Sequence, residues 1–408
     1  MVEHSKNLLE KVKFQKANEA IQEGSSGHSE KQIAWRIVIS AVIVGVLGSI
    51  IHIILTKEAV ASGKEIYISG SSKFILFTVL GIVILLLFYL ADYTKLGKYS
   101  KIIFVTVLVL YVLSTDGTLF VWAHEEIFAS SLMLMMVPAY AGIIYKYREG
   151  SFGALIRSLL WILVPCGFVF VIYHDLVAVI MALSMLTQLT IAIGKGWFNV
   201  PKFQVIIAIW LFFVLVPISG LWTMYIFGFI PEHLIARVSF MLHLGFKEYY
   251  TGGPIGEIID NSSIIGNSNA DILGTLYSAD NIYILTYIVA KWGVLAGLGV
   301  VSAVSIVILS GLFAFLKVKN QLGVVMGSGC MMVLAVNGLL SILTGFGVAP
   351  YFSSFLPFIS AGGSNLLISY AFLGIILSIY KYKSVYPQHM DIGIRGSFKL
   401  GNIEIMKN

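Results

Sequence analysis

Apolar runs the length of a bilayer follow one another along most of this chain, and that leaves few folds open to it. Ten occur, at roughly 37–55, 74–91, 102–114, 128–145, 154–173, 175–193, 204–229, 282–316, 321–345 and 364–380. A run of about twenty apolar residues crosses the hydrocarbon as a helix, because a helix satisfies its own backbone groups where water is absent. The expected fold is therefore an all-α polytopic membrane protein with about ten transmembrane helices. Composition agrees: 58% of the 408 residues are hydrophobic and 12% charged, against about 25% charged in soluble domains. The third run is short, and the fifth and sixth share a tight turn at His174-Asp175. The eighth, 282–316, is longer than a bilayer needs at about 1.5 Å per residue, so part of it is expected to project or lie tilted.

Lysine and arginine orient the spans. With the N-terminus inside, the segments 1–36, 92–101, 146–157, 195–202, 317–319 and 381–408 hold 21 of the 27 basic residues. The opposite segments hold five, and Lys291 lies within a span. That is a strong positive-inside bias, so both termini are expected to be cytoplasmic. The net charge of +6 is then the lysine excess of cytoplasmic loops, and no compact basic domain points to nucleic acid. Residues 1–36 read as a cytoplasmic segment: a short amphipathic stretch through Leu8, Leu9, Val12 and Phe14, then a flexible Gly24-Ser25-Ser26-Gly27 linker. Residues 386–408 read as a cytoplasmic tail. Cys166 and Cys330 both sit in apolar runs and make neither a disulfide framework nor a zinc pattern.

Between the seventh and eighth runs lies a polar, glycine-rich stretch, 231–280, placed outside by the same bias. Packing alone does not require so long a connection, so function is sought there first. It contains Arg237, Lys247, Glu248, the turn-rich Gly252-Gly253-Pro254-Ile255-Gly256, Asp260, Asp271 and, at the lip of the next span, Asp280. An outer site has no access to cytoplasmic nucleotides, so a substrate there must carry its own activation. Neither a Walker loop nor a His-Glu-x-x-His pair occurs in the sequence. Gly293 and Gly297 form a small-residue pair suited to close helix packing. Lys291, inside an apolar run, needs a partner or a path to the interface.

A second stretch stands out just before the last span: Leu356-Pro357-Phe358-Ile359-Ser360-Ala361-Gly362-Gly363-Ser364-Asn365. It reads as a re-entrant loop, with Ser364 as a cap where the tenth helix begins. Non-helical backbone at membrane depth persists only when buried in protein or lining a wet cavity, so scaffold and substrate contact both remain open. Gly362 and Gly363 are expected where a side chain would obstruct the backbone.

This stretch resembles the LPFISYGGSS signature of the SEDS proteins (shape, elongation, division and sporulation), the FtsW, RodA and SpoVE group. Ala361 stands where that signature has tyrosine, and Asn365 where it has its second serine. Asn337 and Gly345 match the asparagine and glycine of the preceding span. Arg237 sits like the arginine that opens the family's large loop, and His174-Asp175-Leu176 looks like its Pro-Asp-Leu-Gly. The similarity covers roughly 37–385. Ser278-Ala279-Asp280-Asn281-Ile282-Tyr283 occupies the place of the His-Thr-Asp-Phe-Ile-Phe motif, keeping the aspartate but not its neighbours. From Asp280 to Gly293 the spacing is about two residues longer than the family's, and two residues turn a helix by about 200°. Either the extra residues lie in a loop-like start or Asp280 points elsewhere. On the fourth span Ala129-Ser130-Ser131-Leu132-Met133 stands where the family has an acid and a base. Ala290-Lys291 stands near its paired glutamates.

The resemblance implies a SEDS-like fold and peptidoglycan glycosyl transfer from lipid II at the outer face of a bacterial cytoplasmic membrane, in elongation, division or sporulation. It implies Asp280 as the catalytic carboxylate, with Arg237, Asn337, Ser360, Gly362, Gly363 and Ser364 as substrate-binding candidates. A divalent cation at the lipid diphosphate is the one cofactor candidate. The implied partners are lipid II, membrane lipids and a single-span class B penicillin-binding transpeptidase, with no nucleic acid. Two other readings fit the same scaffold: a transporter or lipid-handling protein, and a non-catalytic regulator of a wall-synthesis complex. Orientation is directly testable. Single cysteines at Ser268 and Ser397, in a chain freed of its native cysteines, are expected to react with an impermeant reagent on intact cells at 268 and not at 397. The reverse pattern overturns the topology.

Overall fold

The structure is a computed structural model that describes residues 34–63, 70–115, 130–171, 175–228, 252–266, 279–349, 352–388, 398–400 and 403–405. Among these residues, eight helices are long and apolar enough to cross a membrane, and two shorter apolar helices, Ser100–Val112 and Leu132–Tyr145, complete a set of ten. In chain order the long ones are α1 (Ala34–Ala61), α2 (Ser71–Leu90), α6 (Phe152–Val171), α7 (Asp175–Gly194) and α8 (Lys202–Ile226). After the long polar loop come α11 (Val294–Leu316), α12 (Gln321–Gly345) and α13 (Gly363–Lys381). Between α2 and α6 lie a short helix α3 (Tyr93–Lys98), α4 (Ser100–Thr115) and α5 (Met136–Tyr145), the last entered through a 3-10 turn, Ser130–Met135. A short hairpin pairs Phe398–Leu400 with Ile403–Ile405. The fold is a polytopic helical bundle, as the apolar runs require.

The last span is the central post. Helix α13 is almost wholly buried, and it packs against α2, α11 and α12. Tyr370 on α13 lies over Gly45 and Gly81, where the missing side chains let α1 and α2 approach. By contrast α8 is almost wholly exposed and, among the described residues, packs mainly along α7. Its outward Phe203, Leu211, Leu215, Ile218 and Trp222 suit a lipid-facing helix.

At the lysine-rich end, polar side chains tie the helix termini together. Trp197 Nε1 donates to Gln321 Oε1 at 2.6 Å, and Ser378 Oγ donates to the Ala91 carbonyl at 2.6 Å. Asn320 caps α12 by accepting from Gly323 N at 3.1 Å, and its Nδ2 donates to the Pro387 carbonyl at 2.6 Å. The Tyr386 hydroxyl bonds Asp92. The chain after α13 therefore folds back across the ends of α2, α3 and α12.

The eighth run is not one tilted helix. It breaks at Gly293 into α10 (Ile284–Trp292) and α11, and the halves pack against each other, with Val289 pressed on Gly297. Gly293 has φ 90° and ψ 168°, a region open essentially to glycine alone. A break exposes unpaired N–H groups at the start of α11. The long polar loop supplies the acceptors: Val294 N donates to Ser263 O at 3.1 Å and Leu295 N to Ile264 O at 3.2 Å. So the Gly293/Gly297 pair serves a turn and packing within one broken span.

The loop's turn-rich stretch is also helical. Gly252–Asp260 forms α9, because a proline in a first turn costs no hydrogen bond. Ile255 and Ile258, three apart, bury one face, against α10. For Gly293→Ala, the strained backbone costs about 1–3 kcal/mol. A Cβ there would also lie 2.6 Å from the Ile264 carbonyl oxygen. A marked fall in the thermal unfolding midpoint in detergent is expected, whereas Gly299→Ala, which faces open space, should leave the midpoint unchanged or raise it.

Candidate active site

Asp280 lies in a run of turns, 279–283, that precedes α10. The additional residues of this region therefore sit in a loop-like start, and they do not rotate Asp280 around a helix. Its side chain is 4% exposed. Its backbone is held by the stretch before the last span: Ala361 N donates to the Asp280 carbonyl at 2.9 Å. The next residue is gripped twice more. Ser360 Oγ donates to the Asn281 carbonyl at 2.8 Å while accepting from Leu356 N at 2.8 Å. Asn365 Nδ2 reaches Asn281 Oδ1 at 3.5 Å and the Ala361 carbonyl at 3.1 Å. Residues far apart in sequence thus form one buried knot.

The 356–365 loop is fixed from its other side by the first span. His52 Nε2 donates to the Ile359 carbonyl at 2.9 Å, since a carbonyl can only accept. The imidazole stacks on Phe74 with ring centroids 3.9 Å apart. Within the loop Phe358 has φ 67°, an uncommon conformation for a bulky residue, which persists only where surroundings over-determine it. Gly362 has φ 112°, and a Cβ there would meet Asn365 Nδ2 at 2.7 Å. Gly362 thus shows the expected obstruction, and Gly363 is the buried first residue of α13.

Beyond the knot, α10 is anchored to two other spans. Thr286 Oγ1 donates to the Gly345 carbonyl at the end of α12 at 2.6 Å. Lys291 Nζ lies 3.0 Å from Glu58 Oε1 on α1, and Tyr287 donates its hydroxyl to Glu58 Oε2 at 2.8 Å. The carboxylate so held by a cation and a phenol is the partner that Lys291 needed.

Of the residues singled out from the sequence, Asp280, Ser360 and Gly362 come together in the knot. Gly363 and Ser364 open α13 beside it, both buried. Ser364 does not cap: that place belongs to Gly362, which makes no side-chain bond. Asn337 is buried in α12 and donates to Val333 O of its own helix at 3.0 Å. Next to it, Gly338 faces Pro357 of the loop. Arg237 and Asp271 lie outside the described residues, as do 172–174 with His174. Sequence reasoning missed His52 and Glu58. Both are polar residues within the reach of the first span, and that is the signal that marks them. Among the described residues no cluster of three or more His, Cys, Asp or Glu forms that could hold a metal ion.

Chemically, the arrangement offers one buried carboxylate whose backbone is fixed at the entrance to a broken span. A group so positioned can accept a proton from a substrate hydroxyl at the membrane surface. The chain superposes on solved structures over most of its length. One is a chain from a structure described as the structural coordination of polymerization and crosslinking by a peptidoglycan synthase complex. The match has a TM-score of 0.64 at 14% identity, covering 86% of this chain and 98% of that one. Another is the rod shape determining protein RodA of Thermus thermophilus, with a TM-score of 0.58 at 12% identity over 86% and 97% of the two chains. A mutant of the same RodA gives 0.57 at 14% identity over 86% and 98%. No family model matches the chain, and no curated protein sequence matches it significantly. The fold is that of RodA, the SEDS fold that the 356–365 signature implied.

Ser360→Ala tests the knot. It removes the acceptor for Leu356 N and the donor to Asn281 O, each worth about 1–3 kcal/mol when the orphaned group is buried. A stability loss of at least about 2 kcal/mol is expected by thermal unfolding in detergent. A midpoint equal to wild type would mean the two groups find other partners.

Proposed function

We propose that this protein is a peptidoglycan glycosyltransferase of SEDS type, polymerising lipid II at the outer face of a bacterial cytoplasmic membrane. The observation that carries the proposal is the carboxylate at residue 280. It opens the broken span and is locked through its backbone to the signature loop, in the fold shared with a chain of a peptidoglycan synthase complex. In this reading Asp280 takes the proton from the acceptor sugar hydroxyl. The hydroxyl oxygen forms a bond to the anomeric carbon of the donor glycan. The bond from that carbon to the diphosphate breaks, and undecaprenyl diphosphate leaves. The donor carries its own leaving group, so no nucleotide is required outside. Arg237 is proposed to hold the diphosphate, since a guanidinium fork matches phosphate oxygens, and a divalent cation is a candidate at the same group. Asn337, Ser360, Gly362, Gly363 and Ser364 then shape the site, and a single-span class B transpeptidase is the proposed partner.

A second reading is favoured by particular features. Lys291 is engaged by Glu58, Asp280 is buried, and residues 129–133 bring neither acid nor base to the fourth span. A scaffold kept for lipid handling or for regulating a wall-synthesis complex fits those features too.

Purified protein with lipid II, with and without a candidate transpeptidase, separates the readings. Asp280→Asn keeps the size of the side chain but cannot take the proton. It is expected to fold, to bind lipid II and to polymerise at least about a hundredfold more slowly, the lower end of the effect of a general base. Normal polymerisation by Asp280→Asn eliminates Asp280 as the base. A wild type that binds lipid II and never polymerises it leaves the second reading.

A further inference from the structure

At the lysine-rich end, away from the knot, two ammonium groups converge without a carboxylate. Lys146 follows the last turn of α5 and is half-buried. Its Nζ donates to the Lys98 carbonyl at 2.7 Å and to Ser100 Oγ at 3.1 Å. An ammonium has three N–H donors, so one remains for another acceptor. Lys101, exposed on the first turn of α4, extends its Nζ over the Tyr147 ring, 5.7 Å from the centroid. Burial lowers the pKa of Lys146, and the positive charge of Lys101 lowers it further. Two ion pairs of the described residues, Arg148–Glu149 and Lys291–Glu58, involve neither.

The surroundings are those of a membrane boundary. Trp161 on α6 donates to the Tyr147 hydroxyl at 3.3 Å and meets Phe104 of α4 edge to face at 5.0 Å. Trp and Tyr of this kind sit at headgroup level. From that level outward-facing apolar stripes run along both helices: Ile102, Val105 and Val109 on α4, Leu160, Leu163 and Val164 on α6. A soluble anion would gain nothing from those stripes, whereas a phospholipid would cover them with its acyl chains while its phosphate neutralised the cations.

We propose that Lys101 and Lys146, above the α4–α6 surface, form a binding site for the phosphate of an anionic phospholipid. The site is independent of the reading given to Asp280. It places a counter-anion between two cations that the fold holds together, and Tyr147 and Trp161 line the headgroup level beside it.

Native mass spectrometry of the full chain in detergent tests the site, with phosphatidylglycerol and phosphatidylcholine titrated separately. Wild type is expected to retain phosphatidylglycerol more tightly. Each charge removed should weaken that binding by about fivefold, the usual worth of one basic residue at an anionic membrane surface. Lys146 bonds α4 and its loss can disturb folding, so the exposed Lys101→Gln is measured alone as well as in Lys101→Gln/Lys146→Gln. Lys317→Gln, an exposed lysine at the same end, is the control and should bind like wild type. Equal retention of both lipids by wild type, or Lys101→Gln binding phosphatidylglycerol like wild type, overturns the proposal. Displacement of the lipid by an equal concentration of inorganic phosphate alone would assign the cations to a soluble anion and overturn it too.

Discussion

Backbone polar groups that leave the helix within a membrane protein have to find partners inside the protein, and two interruptions in this bundle depend on that. The first is the break at Gly293, whose freed N–H groups are taken by the Ser263 and Ile264 carbonyls of the long polar loop. The second is the loop before α13, where the Asp280 carbonyl accepts from Ala361 N and His52 donates to the Ile359 carbonyl, while Ser360 Oγ donates to the Asn281 carbonyl. Each interruption is satisfied by a segment distant in sequence. The two are also linked, because Asp280–Tyr283 leads directly into α10, which the first break terminates.

That linkage explains why the polar residues of this end lie where they do. The short helix α10 has only nine residues, too few to hold its place by helix propensity. It is held by Thr286 on Gly345, by the Glu58 pair at Lys291 and Tyr287, and by the buried face of α9. An exposed ion pair is worth little, and a partly buried one is costly to break by removing one partner. Here it joins the first span to the helix that follows Asp280. The backbone at Asp280 is thus held in place by neighbouring spans and a loop.

The opposite end is built differently. There the helix termini are bound by short polar contacts, Trp197 to Gln321, Ser378 to Ala91, Asn320 to Pro387, and cations lie over aromatic faces. Lys381 sits over Tyr89 and Tyr382, and Lys383 over Tyr380. Lysines at a bilayer boundary keep their charge wet while their stems cover apolar surface.

The number and order of the spans were legible in the residues themselves, since runs of about twenty apolar residues have one stable form in hydrocarbon. The importance of the 356–365 stretch was legible as well, because proline, paired glycines and serines cannot be a plain membrane helix. The residues could not reveal what each interruption leans on. Nothing local in Ile264 marks it as the carbonyl that rests on Gly293. Nor does His52, alone in an apolar run, show that it reaches Ile359, 307 positions away. Periodicity read 282–316 as one long span, because a break at a glycine leaves the hydropathy unchanged. The sequence by itself determined the membrane fold and drew attention to Asp280, because hydropathy and charge are summed along the chain. Only the tertiary structure decided that Asp280 is buried and held by its backbone, and that Lys291 pairs with Glu58, because those contacts depend on distances that no local pattern encodes.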